Sequence, residues 1–144
     1  MRGNGFTLIE IMVVVAIICI LVAMAIPNIL RSRFNASESA ALTSLRTISN
    51  ACQLYYSREQ AYPETLSVMV EPAMSPPYLD TELATGRKQG YEFVYQRPDV
   101  HRFNVNANCL WGGLLKSRYF YLNELGVIRV NAPEIAGADD EIIG

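Results

Sequence analysis

Few side chains in this 144-residue sequence could carry chemistry. One acid, Glu10, stands inside an otherwise apolar run from Phe6 to Ile26. An acid at the centre of a membrane helix costs roughly 2.5–3.5 kcal/mol on insertion scales, so Glu10 needs a partner or a role. The single histidine, His101, falls in the turn pattern Arg97-Pro98-Asp99-Val100-His101 and reads as an exposed turn residue. No nucleophile elbow, phosphate loop or zinc-protease spacing accompanies it, so no catalytic residue is assigned and no enzyme is expected. Asp139-Asp140-Glu141 lack the spaced oxygen ligands of a calcium loop. Asn35-Ala36-Ser37 matches a glycosylation triplet, which occurs often by chance. One histidine and three scattered cysteines, Cys19, Cys52 and Cys109, argue against a metal cage, and no cofactor is expected.

These residues sit on a chain of uneven composition. Charged residues make up 18% and apolar ones 51%, against about 25% charge in ordinary soluble domains. The deficit is concentrated at the start, where Arg2 and Glu10 are the only charges before Arg31. The remainder is an ordinary, slightly acidic globular segment. That pattern excludes a disordered chain, a polytopic membrane protein and a strongly basic nucleic-acid binder; no nucleic-acid partner is expected. As a helix, Phe6 to Ile26 would be about 31 Å long, enough to cross a bilayer core of about 30 Å. A secretory signal has a shorter apolar core and a small-residue cleavage site. Here Pro27 leads instead into a long polar helical pattern. A plain membrane anchor would leave Glu10 unexplained.

The helical pattern continues after Pro27. Leu42, Leu45, Ile48, Cys52 and Tyr55 recur at three- and four-residue spacing. No glycine occurs from Phe6 through Glu59, and Pro27 is the only proline there. One helix over that range would measure about 81 Å, too long for a compact domain of this size to contain. Pro27 should bend or locally open it, whereas Cys19 should lie in unbroken helix. Tyr62-Pro63 should end it, and Asp80 to Ala84 allow one short helical turn stopped by Gly86.

From Tyr91 the period becomes two. Tyr91, Phe93 and Tyr95 alternate with polar or smaller residues, as do Phe103, Val105, Ala107 and Cys109 with Asn104, Asn106 and Asn108. Tyr119 to Leu122 and Val127 to Val130 form a further pair. The expected fold is α+β: a long N-terminal helix whose second half covers the apolar face of a small four-stranded antiparallel sheet. The acidic tail, residues 132–144, reads as a flexible solvated end. Cys52 and Cys109 both belong to the apolar faces, and are either a disulfide pair on an oxidising side of the membrane or two buried free thiols.

Gly5-Phe6-Thr7-Leu8-Ile9-Glu10, followed by the apolar stretch and Pro27, resembles the prepilin cleavage and methylation segment of type IV pilins and type II secretion pseudopilins. Pro77-Tyr78-Leu79-Asp80, Gly90-Tyr91-Glu92-Phe93 and Tyr119-Phe120-Tyr121 with Gly126-Val127-Ile128-Arg129 are similar, more loosely, to a bacterial group of pilin-like proteins. The family commonly has glycine where this chain has Cys19. The resemblance implies a leader at 1–5, cut between Gly5 and Phe6 by a prepilin peptidase, and methylation of the new Phe6 amine. It implies a membrane and assembly helix at 6–30 and an extracytoplasmic globular domain at 31–144, with Arg2 in the cytoplasm. Its partners would be membrane lipid before assembly, an inner-membrane assembly platform, and other copies of itself. Glu10 would meet the Phe6 amine of a neighbouring subunit, and Pro27 would mark where the helix gives way. The readings that follow are a type IV pilus subunit, a pseudopilin of a type II secretion system, or a minor pilin acting as a tip binding module.

Overall fold

The computed structural model describes residues 6–70, 77–110, 118–131, 136–137 and 139–143. A 52-residue helix, α1 (Leu8–Glu59), precedes a 3-10 turn (Leu66–Met69), a short helix α2 (Thr81–Ala84) and six strands. The strands are β1 (Arg87–Lys88), β2 (Tyr91–Asp99), β3 (Arg102–Cys109), β4 (Tyr119–Asn123), β5 (Ile128–Asn131) and β6 (Glu141–Ile143). The chain divides into two compact units, Met1–Ala36 and Ser37–Gly144, and α1 contributes to both.

In the second unit, α1 buries Ala41, Ser44, Leu45, Ile48, Ser49, Ala51 and Cys52, the three- and four-residue spacing of a single helix face. The helix stops where Gln60 takes φ 58° and its N–H donates to the Tyr56 carbonyl at 2.9 Å, a left-handed C-terminal cap. Asp80 caps α2 by accepting from the Glu82 N–H, and Gly86 at φ 79° ends it. A side chain at Gly86 would bring its Cβ to 3.1 Å from the Phe93 carbonyl, so the close approach and the positive φ both demand glycine.

The sheet is a meander in the order β1-β2-β3-β4-β5-β6, every neighbour antiparallel. Its inner face buries Tyr91, Phe93, Phe103, Val105, Ala107, Phe120, Leu122 and Ile128 in one cluster with Leu45, Ile48 and Cys52 of α1. This is the expected helix-on-sheet core, but with six strands rather than four. The two additions lie at the edges. β1 is two charged residues, paired to β2 through Gln89 and Gly90, both at positive φ as a tight hairpin requires. β6 belongs to the tail expected to be solvated. It pairs with β5, Ile128 opposite Ile143 and Val130 opposite Glu141. Two or three residues cannot display a period, so neither edge strand could be read from alternation.

Candidate functional site

The residues singled out at the N-terminus lie at the start of α1. The Glu10 N–H donates to the Thr7 carbonyl at 3.1 Å and to Thr7 Oγ1 at 3.4 Å. Thr7 is therefore the N-cap, satisfying donors that the first helical turn leaves open. Glu10 is the third helical residue, which completes the Thr-x-x-Glu spacing of a capping box. Thr7 was not among the expected functional residues, although that spacing is written in the sequence. At this position the Glu10 carboxylate also complements the positive end of its own helix.

Beyond the cap, α1 presents an apolar surface that the first unit does not cover. Phe6 is 76% exposed and Met24 70%, and none of the most apolar 18-residue stretch of the helix is buried. By length and composition this helix can cross a membrane. Cys19 and Pro27 both lie inside α1. Glu10 and Pro27 are about 26 Å apart along an ideal helix, so they form no common cluster. Gly5, the expected residue before the cut, lies outside the described residues.

Cys52 is a buried free thiol and Cys109 a half-buried one in this structure. Cys109 stands opposite Tyr91 in the β2–β3 register, and the Tyr91 hydroxyl donates to the Arg118 carbonyl at 3.0 Å. Burial pushes the Cys52 thiol up to about 12, so it is a packing group rather than a nucleophile.

His101 is exposed in the β2–β3 turn, its Nδ1 3.0 Å from the Tyr56 hydroxyl. Asn35 lies within α1, whose regular backbone holds the triplet in helix. No metal-holding group of three or more His, Cys, Asp or Glu occurs among the described residues. Asp140 has a role that its acidic run did not reveal. Its carboxylate accepts from the Gly137 N–H at 2.7 Å and from Asn131 Nδ2 at 3.1 Å, and its carbonyl accepts from Arg129 Nη1 at 2.8 Å. These bonds tie the segment before β6 to β5.

Comparison with known proteins agrees with this geometry. Residues 1–26 match the family model described as the prokaryotic N-terminal methylation motif. Over 63 residues, 44% of this chain, the sequence is 43% identical to the type IV major pilin protein PilA of Myxococcus xanthus, covering 29% of that relative. It is 34% identical over 93 residues, 62% of this chain, to the type II secretion system core protein G of Escherichia coli, covering 61% of that relative. The core protein G of Vibrio cholerae is 39% identical over 64 residues, 44% of each chain. The matched stretches thus span less than two thirds of these curated relatives. No solved structure matches the chain.

Proposed function

We propose that this chain, which carries the prokaryotic N-terminal methylation motif, is a structural subunit of a type IV pilus-like filament. The observation that carries the reading is the capped apolar first part of α1, exposed from Leu8 to Leu30, with Glu10 as the one acid in that stretch. A soluble fold has no use for that surface, whereas lipid or the helices of other copies would cover it. A prepilin peptidase would cut between Gly5 and Phe6 and the new Phe6 amine would be methylated. The subunit would wait in the inner membrane, single-pass, with its sheet domain outside the cytoplasm. An inner-membrane assembly platform would then move it into an extracellular pilus.

Assembly exchanges lipid contacts for helix contacts, so apolar burial changes little and packing with polar pairing must supply specificity. Glu10 of one subunit would take the Phe6 amine of its neighbour. Such a pair is nearly neutral in net energy, but leaving one member alone in an apolar surround costs about 3–5 kcal/mol; register follows from that penalty. Assembly needs no catalytic group or cofactor. Glu10→Val should abolish filaments while leaving the sheet domain folded, and normal filaments from this variant would sink the intersubunit role. Thr7→Val, which removes only the cap, should assemble; equal failure of both would assign Glu10 to its own helix end. Gly5→Arg should leave an uncut precursor, and mass spectrometry of the wild type should find methylated Phe6 first.

A pseudopilin of a type II secretion system is a second reading. It is favoured by the core protein G relatives, one of which aligns over 62% of the chain. A disruption strain scored for both pilus-dependent motility and secretion separates the two.

A further inference from the structure

Past its apolar stretch, α1 turns polar on one side only. Asn28, Arg31, Ser32 and Asn35 follow the three- and four-residue spacing of a single helix face, and all four are exposed. Arg33 lies about 160° round the helix from Arg31. It shares its face with Ile26, Ile29 and Leu30, which are exposed and apolar. The two arginines are therefore unlike: one stands among amides and a hydroxyl, the other above aliphatic side chains. No acid lies between Glu10 and Glu38, and the Glu38 carboxylate faces Arg118 at 3.8 Å. The polar face thus carries one cation surrounded by neutral hydrogen-bonding groups.

Its depth follows from the length of the helix. In a membrane, residues 6–26 would fill the hydrocarbon core of about 30 Å. Residues 28–35 rise about 10 Å further, and the headgroup layer on one side is about 5–8 Å deep. Side chains on a helix lean toward its N-terminus, which carries the Arg31 guanidinium back toward Asn28 and the level of the lipid phosphates.

We propose that this face holds the headgroup of an anionic glycerophospholipid, in the leaflet that surrounds residues 28–35. Arg31 would take the phosphate through two N–H groups, as its planar fork allows. Asn28, Ser32 and Asn35 would meet the hydroxyl and ester oxygens of the headgroup. A zwitterionic headgroup matches less well, because it brings its own cation beside Arg31 and this face has no acid to receive it. Arg33 would extend its stem over the apolar side and reach water without a defined partner. The inference rests on the membrane residence of the proposed filament subunit, and the contact would hold the helix at one depth until assembly removes it.

The test places the full-length chain in mixed micelles with equal amounts of phosphatidylglycerol and phosphatidylcholine and counts bound lipid by native mass spectrometry. The wild type should retain phosphatidylglycerol over phosphatidylcholine by about fivefold or more. Arg31→Ala should bring that ratio close to unity and Arg33→Ala should keep most of it, both with circular dichroism unchanged. A wild-type ratio close to unity would overturn the proposal. So would equal losses in the two variants, which mark a diffuse attraction between charges, or displacement of the lipid by millimolar inorganic phosphate, which marks a site for a soluble anion. Loss of oligomers in Arg31→Ala, with no lipid preference in the wild type, would assign the face to a second copy and overturn it too. Flotation with phosphatidylcholine vesicles reads the membrane premise separately. A wild type that stays in solution brings down the membrane reading and this proposal together, and one that floats without preferring phosphatidylglycerol brings down this proposal alone.

Discussion

One helix meets two different surroundings. In the unit ending at Ala36, Ile17 is 52% exposed and Leu21 61%; in the unit beginning at Ser37, Leu45 and Ile48 of the same α1 are fully covered. The first stretch is apolar all round and is uncovered by the described residues of its own unit. The second is apolar on one face only, and that face meets the sheet. An all-round apolar helix must be covered by something outside its own fold, whereas an amphipathic one is satisfied within it. The contrast teaches that one continuous helix carries a stretch that stabilises the sheet unit and a stretch that does not.

Matched truncations are the strongest way to break this division. Leu45→Ala should destabilise the sheet unit by about 2–5 kcal/mol, a transfer loss plus a cavity. Ile17→Ala should change the same unfolding transition by less than about 0.5 kcal/mol. Thermal unfolding of both variants in detergent micelles checks the pair, and equal losses would end the division. A smaller effect sharpens the boundary of the sheet unit. Asp140→Ala removes two carboxylate bonds and should cost about 1–2 kcal/mol. Amide exchange should accelerate at Glu141–Ile143 while Phe103–Ala107 stay protected.

The mildest test at neutral pH uses titration. Burial raises Cys52 from 9.0 to about 12 and also raises Tyr91 and Tyr95 above 10.0. A folded-state value above the unfolded one means the neutral form is favoured by folding. That contribution is complete below pH 9 and is lost as pH climbs toward 12. The melting temperature should therefore begin to fall above pH 9. Cys52→Ala should delay the fall toward pH 10, where the tyrosines take over. In the denatured chain, thiol labelling should find three reactive cysteines.

Elements with many repeats of their period were legible in the sequence. The 52 residues of α1 and the long alternations of β2 and β3 print their pattern several times over, so the helix-on-sheet core followed from spacing alone. The Glu10 motif was legible because an acid in a long apolar run is costly and hence conspicuous. Thr7 as its cap was also written there, in the Thr-x-x-Glu spacing.

The sequence by itself determined the apolar N-terminal helix, its lone acid and the two faces of the core, since these depend on local period and on transfer free energies that each residue carries with it. Only the tertiary structure decided the edges and the pairings. β1 and β6 exist because neighbouring strands offer them hydrogen bonds, not because two or three residues prefer an extended form. Asp140 became a tie because β5 brings Asn131 and Arg129 to it. Cys52 and Cys109 meet the same apolar core, but sharing a face fixes which side a residue points to and not how far along the strands it lies. Distance along a sheet is set by register, and register is a property of the assembled strands.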